Sequence, residues 1–320
     1  MPMTTFLKPS GKLAGPPLVS VIMNCLNCEK YLREAIESVY SQTFSSWEII
    51  LWDNASNDKS GDIARSFDGR LRYFRGETTI PLGAARNKAI EQARGSSIAF
   101  LDCDDIWLPT KLERQIPLFD DPDVDLVFSD VLYFNVTGRS RSLYGRHTYY
   151  VGNCFGQLLA NYCISMVTAV IRRSALDHQP NWFDERFQVS EESELFLRLA
   201  YKGKLAMVDE PLAKYRIHSE SWTMIRPELF EQERELMLQR FQALFPGFNR
   251  VYASQIRRLR VRHAFSKAKH LWIAGDSIAA RNILRPYLIE NMRASLLYLL
   301  SLSPSLLGRI LDNLWNIHPK

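Results

Sequence analysis

No stretch of this 320-residue chain reads as a membrane span. Residues 151–171 carry no charge, but Gly152, Asn153, Gln157, Asn161 and Ser165 interrupt the run. Residues 294–308 are apolar but short and broken by Pro304, whereas spanning takes about 20 apolar residues. The first fifteen residues lack the apolar core of a secretory signal. Glycine is missing where a phosphate loop would need it. Met23-Asn24-Cys25-Leu26-Asn27 has neither G-x-G-x-x-G nor G-x-x-x-x-G-K-[ST], which excludes the usual backbone cradles for dinucleotides and nucleoside triphosphates. Cysteine is scarce and irregular, with Cys25, Cys28, Cys103, Cys154 and Cys163. Cys25-x-x-Cys28 has no second pair or His-x-His to complete a zinc site, and it follows a strand rather than opening a helix. Reduced thiols in a cytoplasmic protein are therefore expected. Repeats and low-complexity tracts are absent.

What is present is an ordinary globular composition, 46% hydrophobic and 23% charged, enough for one large or two smaller domains. The net charge of +5 hides an asymmetry: residues 250–320 carry 12 Lys+Arg against 3 Asp+Glu, leaving a mildly acidic body. An acidic body without a recognised module excludes nucleic acid as the partner. In the tail, Arg257, Arg258, Arg260, Arg262, Lys267 and Lys269 flank apolar residues, and Leu296, Leu297, Leu299 and Leu300 follow. This pattern predicts contact with an anionic membrane surface, which would place the protein peripherally on the inner face of the membrane. A helical appendage packed on the body, or a dimer contact, is the alternative.

The front half alternates. Apolar runs predict strands over 19–23, 48–52, 71–74, 98–101 and 125–129, and helices over 31–41, 60–67 and 82–94. The third helix ends at Gly95, as a left-handed stop would require. Strand and helix at this pitch predict a mostly parallel sheet with helices on both faces. A further helix over 192–201, a strand over 205–208 and helices over 228–245, 251–273 and 276–289 complete the reading. Residues 1–17 read as a loose tail, 18–225 as an α/β domain with halves 18–130 and 131–225, and 226–320 as an all-helical basic region.

Three predicted strands end in polar groups, at Asn24–Asn27, Asp53-Asn54 and Asp102–Asp105. Parallel neighbours deliver these to one rim, where open α/β sheets bind ligands. Asp102, Asp104 and Asp105 crowd three carboxylates into four positions. Such crowding is commonly relieved by a divalent cation, which could in turn hold a diphosphate. A solvated acidic turn is the other reading of that segment taken alone.

Here the residues resemble a family. Val19-Ser20-Val21-Ile22 with Asn27, Tyr31-Leu32, Ala35 to Val39, Gln42-Thr43 and Trp47 to Ile50 are similar to the opening of family 2 glycosyltransferases. The series continues in order through Asp53 to Asp58, Gly83 to Ile90, Phe100 to Asp105, Trp107-Leu108-Pro109 and Lys111 to Gln115. The resemblance runs to about Ser221. It implies a GT-A fold with a nucleotide-binding half and an acceptor-binding half. It also implies inverting sugar transfer from a nucleotide-sugar donor to a glycan or polyprenyl-linked acceptor, in cell-surface polysaccharide synthesis. By position it gives Asn27, Asp53, Asn54, Arg86, Asp102 and Arg216 to the nucleotide sugar, with Asp53 and Asn54 near base and ribose. Asp104, with Asp102 and His218, would hold Mg²⁺ or Mn²⁺. The general base would be Glu192, where Asp is more usual, or its neighbour Glu191. Asn54 also stands where many relatives have Asp, which leaves the donor base open. Tyr144, Tyr149, Tyr150, Phe155, Tyr162 and Trp182 form a set that could stack on acceptor sugars. Two rivals stand beside this reading: a sugar nucleotidyltransferase, whose Gly-rich signature Cys25 to Lys30 lacks, and a nucleotide-sugar-binding member without turnover.

Overall fold

A computed structural model of the chain describes residues 16–135, 140–143, 148–218, 229–289 and 292–302. It divides into two compact units. The first comprises the chain up to Asn153 with Ile164–Ile217, and the second Cys154–Cys163 with the chain from His218 onward.

The first unit is a curled mixed sheet flanked by helices. Its elements begin β1 (Val19–Cys25), α1 (Leu32–Tyr40), β2 (Trp47–Asp53), α2 (Ser60–Arg65), β3 (Leu71–Arg75), α3 (Leu82–Glu91) and β4 (Ser97–Phe100). There follow β5 (Ile106–Trp107), α4 (Lys111–Gln115), β6 (Val124–Asn135), β7 (Ser140–Ser142), β8 (Val170–Arg172), α6 (Arg173–Asp177), α7 (Glu191–Lys202) and β9 (Lys204–Ile217), with α5 (Phe155–Ala160) assigned to the second unit. The strand order is β3-β2-β1-β4-β8-β6-β9-β5, with β7 paired to β6. The first four strands pair in parallel, as the alternation predicts. Their apolar runs are buried because helices cover both faces: Val19, Val21, Ile49, Ile50, Ile98 and Ala99 are all inaccessible.

Beyond β4 the mostly parallel sheet turns mixed. The strand predicted over 125–129 is the start of β6, and β8 lies between it and β4, antiparallel to both. A three-residue strand carries no period that a sequence pattern could reveal. β6 instead pairs in parallel with β9, through register shifts around Ser129 and Asp130.

Gly95 also has a different reason from the one expected. It is not among the glycines with positive φ. A Cβ there would lie 2.5 Å from the Ser20 amide nitrogen, so glycine is required by close chain passage rather than by handedness. Buried Glu48 secures this crossing: it accepts from Ser20 Oγ at 2.7 Å, from the Arg94 amide at 2.8 Å and from Arg72 Nη1 at 3.0 Å.

Lys111 is fully buried. Its ammonium donates to Gln115 Oε1 at 2.7 Å and lies 4.2 Å from the Trp107 ring centroid. Burial pushes its pKa well below the ordinary 10.5. The folded chain thus holds this proton less tightly than the unfolded chain. Stability should therefore rise with pH between the lowered value and 10.5, and fall as pH drops through the lowered value. Urea denaturation across that range should show the slope, and Lys111→Met should flatten it.

The second unit joins α5 to α8 (Leu229–Leu244), α9 (Phe248–Val251), α10 (Ala253–Ile273), α11 (Ser277–Leu284) and α12 (Met292–Leu300). The last predicted helix, over 276–289, ends early: a 3₁₀ turn at Arg285–Tyr287 carries Pro286, which cannot continue an α-helical ladder. Phe155 is corrected from an acceptor-stacking candidate to a core residue of this unit. Its ring packs on Phe241, Phe245, Phe248 and Tyr252 with centroids 4.8–6.4 Å apart. Ala268, Trp272, Ala280, Leu284, Ala294 and Leu297 form a second cluster. Part of the basic charge is engaged within the unit, since Arg260 pairs with Glu235 at 2.9 Å and Lys267 pairs with Glu231. No described helix is long and apolar enough to cross a membrane. Ile278, Met292, Leu296, Leu299 and Leu302 are nevertheless exposed. Leu306 and Leu307 lie outside the described residues.

Candidate active site at the carboxyl edge of the sheet

The ends of β1, β2 and β4 converge because the three strands are parallel neighbours. After β1 the chain turns through Asn27 at φ 54°, a left-handed conformation that a short polar side chain tolerates. The Asn27 amide donates to Ser56 Oγ at 2.9 Å, and its Oδ1 accepts from the Asn57 amide at 2.9 Å. The turn after β2 holds Ala55 at φ 69°, which costs an alanine about 1–2 kcal/mol. Asp53, wholly buried, supports it. Its Oδ1 accepts from the Ser56 amide at 2.8 Å, and its Oδ2 from Tyr73 Oη at 2.5 Å and Arg75 Nη1 at 3.2 Å. Asn54 pairs with the backbone of one residue in both directions: Nδ2 donates to the Ile80 carbonyl at 2.8 Å, and Oδ1 accepts from the Ile80 amide at 3.1 Å. A carboxylate could not make the first of these bonds, which gives a local reason for asparagine.

Arg86, buried on α3, joins two halves of the site. Nη2 donates to Asp102 Oδ1 at 3.1 Å, and Nη1 pairs with Glu191 Oε1 at the start of α7. The guanidinium also lies 5.5 Å from the Phe183 ring centroid. The Arg86 and Glu191 side chains are 5% and 4% exposed, whereas Asp102 keeps 36% of its surface open. Glu192, the next residue, is half-buried. Burial and then the charge of Glu191 push its carboxyl up to about 8, against the opposing pull of Arg86.

The acidic turn divides its labour. Asp105 is buried, its Oδ1 accepting from the Arg216 amide at 2.8 Å. Its Oδ2 is buried with no hydrogen-bond partner among the described residues. Burial, then Asp104 and Asp102, hold its carboxyl well above the usual range. Arg216, at the end of β9, clamps the turn: Nε donates to the Asp104 carbonyl at 2.7 Å and Nη2 to Glu34 Oε2 at 2.6 Å, while the guanidinium lies 4.3 Å and 4.5 Å from the ring centroids of Tyr31 and Phe134. His218 is the first residue beyond β9, and Ser219 to Ser221 lie outside the described residues.

The donor set suits a hard cation. Asp102 and Asp104 offer oxygens at a partly open rim, while Asp105 is withdrawn. They do not form a closed cage. Among the described residues, the one set of three potential ligands drawn within 4.8 Å of one another is Cys25, Cys28 and Cys103. A Mg²⁺ or Mn²⁺ ion on the carboxylates would therefore need phosphate oxygens and water to complete its shell. Sequence reasoning missed Glu34, Tyr73 and Arg75 as supports of this rim. Their only signal was charge or hydroxyl on otherwise apolar elements.

Residues 20–179 match the family model described as glycosyl transferase family 2. An uncharacterized glycosyltransferase of Methanocaldococcus jannaschii is 33% identical over 63% of this chain and 71% of its own length. UDP-Glc:alpha-D-GlcNAc-diphosphoundecaprenol beta-1,3-glucosyltransferase WfgD of Escherichia coli is 30% identical over 64% of this chain and 79% of its own. Mannosyltransferase PcManGT from Pyrobaculum calidifontis, solved with GDP-Man and Mn²⁺, superposes with a TM-score of 0.61 at 16% identity, covering 95% of this chain and 89% of that one, which establishes a shared GT-A-like fold. With half of its length matched by the model and relatives covered over most of theirs, the chain belongs to glycosyl transferase family 2.

Proposed function

We propose that this protein is a metal-dependent, inverting glycosyltransferase that moves a sugar from a nucleoside-diphosphate donor to a hydroxyl of a glycan or lipid-linked acceptor during surface polysaccharide synthesis. The observation that carries the reading is the ion-pair chain Asp102–Arg86–Glu191, which ties the acidic turn after β4 to the helix that bears Glu192. Residues 105 apart in sequence are thereby held side by side. The name of the WfgD relative supports a lipid-linked acceptor.

In the proposed reaction the acceptor oxygen attacks the anomeric carbon as the nucleoside diphosphate departs from the opposite side. Glu192 takes the hydroxyl proton, its raised pKa making it a stronger base than an ordinary carboxylate once ionised. Glu191, already paired with Arg86, fixes the start of α7 instead. Asp102 and Asp104 would hold Mg²⁺ or Mn²⁺, whose charge would offset that gathering on the leaving group. Asn27, Asp53 and Asn54 shape the turn that receives the nucleoside.

Thermal unfolding with UDP, TDP, GDP, CDP and ADP, each with and without Mn²⁺, tests the donor site. One nucleotide should stabilise the protein only with metal, by about 2.7 kcal/mol at a hundredfold excess over Kd. Asp104→Ala should abolish the shift. No shift with any nucleotide would overturn the donor assignment.

The exposed apolar residues of α11 and α12, with the basic surplus of the tail, support peripheral attachment to anionic lipid. Cosedimentation with anionic vesicles at low salt should be strong, should weaken as salt is raised, and should fall with Leu296→Ser and Leu299→Ser combined. Indifference to such vesicles would remove the attachment.

A further inference from the structure

The same turn that presents the carboxylates buries a sulfur. Asp102, Cys103 and Asp104 alternate, so Cys103 sits on the inner side, and its Sγ contacts the Asn24 carbonyl at 3.1 Å. The end of β1 and the turn after it contribute Cys25 and Cys28, and the three sulfur atoms all lie within 4.8 Å of one another. Sequence spacing gave only the first pair. The third ligand comes from the side-by-side pairing of β1 with β4.

We propose that Cys25, Cys28 and Cys103 form a soft-metal site of three thiolates, suited to Zn²⁺ and independent of the carboxylate pair. Zinc–sulfur bonds of about 2.3 Å in a tetrahedron put the sulfurs about 3.8 Å apart. The cluster therefore needs to contract by no more than about 1 Å to hold the ion. Cys25 and Cys103 are buried, whereas Cys28 is half-exposed and gives the ion a way in. Ser56 Oγ lies 3.8 Å from Cys25 Sγ, and a hydroxyl or a water would take the fourth position. Ligand chemistry keeps the two sites apart: thiolates select zinc strongly over Mg²⁺ or Mn²⁺, whereas paired carboxylates accept Mg²⁺ and Mn²⁺ readily, which thiolates do not. A zinc ion here would join the turn carrying Asn27 to the turn carrying Asp102 and Asp104, and so brace the rim from behind. Binding at the cluster displaces thiol protons and involves no change of oxidation state.

The full-length protein, reduced and freed of metal with a chelator, is titrated with Co²⁺. The expected result is one equivalent of cobalt giving sulfur-to-metal charge transfer and the strong visible bands of tetrahedral thiolate coordination, displaced by Zn²⁺ but not by Mg²⁺. Asp104→Ala should keep the bands, and both Cys103→Ser and the more exposed Cys28→Ser should lose them, with far-ultraviolet circular dichroism confirming that each variant is folded. Absence of charge transfer in the reduced wild-type protein would overturn the proposal. So would bands that persist in the folded Cys28→Ser and Cys103→Ser proteins. The measurement needs no donor or acceptor, and its outcome is separate from that of the transferase assignment.

Discussion

Replacing Glu192 by glutamine should lower kcat by about 10²–10⁴-fold while leaving metal-dependent stabilisation by the nucleotide intact. Glutamine keeps the size of the side chain and its half-buried setting but cannot accept the acceptor's proton. The pH dependence gives a second signature. Burial and the neighbouring Glu191 charge raise the Glu192 carboxyl to about 8, so the base is largely protonated at neutral pH. For wild type, kcat/KM should climb as pH rises through about 8, where the carboxylate forms, and fall below it. That ascending limb should be missing from the variant. Unchanged turnover with an unchanged profile would remove Glu192 as the base.

The largest loss of stability is expected from Arg86→Ala. The guanidinium is enclosed and faces Asp102 on one side and Glu191 on the other. Removing it strands a buried carboxylate, a situation that costs about 3–5 kcal/mol. The urea midpoint should fall accordingly, and transfer should be lost because the start of α7 is no longer tied to the acidic turn. Arg86→Lys should lie between the two, since an ammonium keeps the charge but not the fork that reaches both partners. Combining Arg86→Met with Glu191→Leu should recover part of the stability without recovering activity. A wild-type midpoint for Arg86→Ala would show that the ion-pair chain does not hold the site together.

Much of the first unit was legible because strands buried on both faces are apolar runs and their helices show a 3.6-residue period. That covers the elements from Val19 to Phe100. Past β4 the signal fails for identifiable reasons. β5 and β8 have two and three residues, too few for any period. β9 read as four residues, yet it spans fourteen because Asp209, Glu210 and Pro211 interrupt its apolar pattern where the register shifts against β6. In the site, the acids announced themselves by crowding, but their partners did not. Nothing local in Leu82–Glu91 says that Arg86 will meet Glu191. Nor does the sequence near Arg216 show that its backbone amide will hold Asp105, or its side chain the Asp104 carbonyl. Asn54 looked like a departure in ligand recognition. The two-way bond to Ile80 gives it a conformational reason as well.

The parallel pairing of β6 with β9 has a consequence for the order in which the molecule is put together. The partners Val124 and Lys204 are separated by a long intervening segment that must be looped before the ladder can close, and closing long loops is slow. The β1–β2 and β2–β3 pairings cross shorter segments, and all of β1–β4 lies early enough in the chain to form while later residues are still being synthesised. Arg216 arrives only with the last residues of β9, and until then the Asp102–Asp105 turn has neither its clamp nor the amide that holds Asp105. The nascent chain therefore carries a finished β1–β4 layer beside an unfinished acidic turn. Competence arrives late, in one step, when β9 zips home.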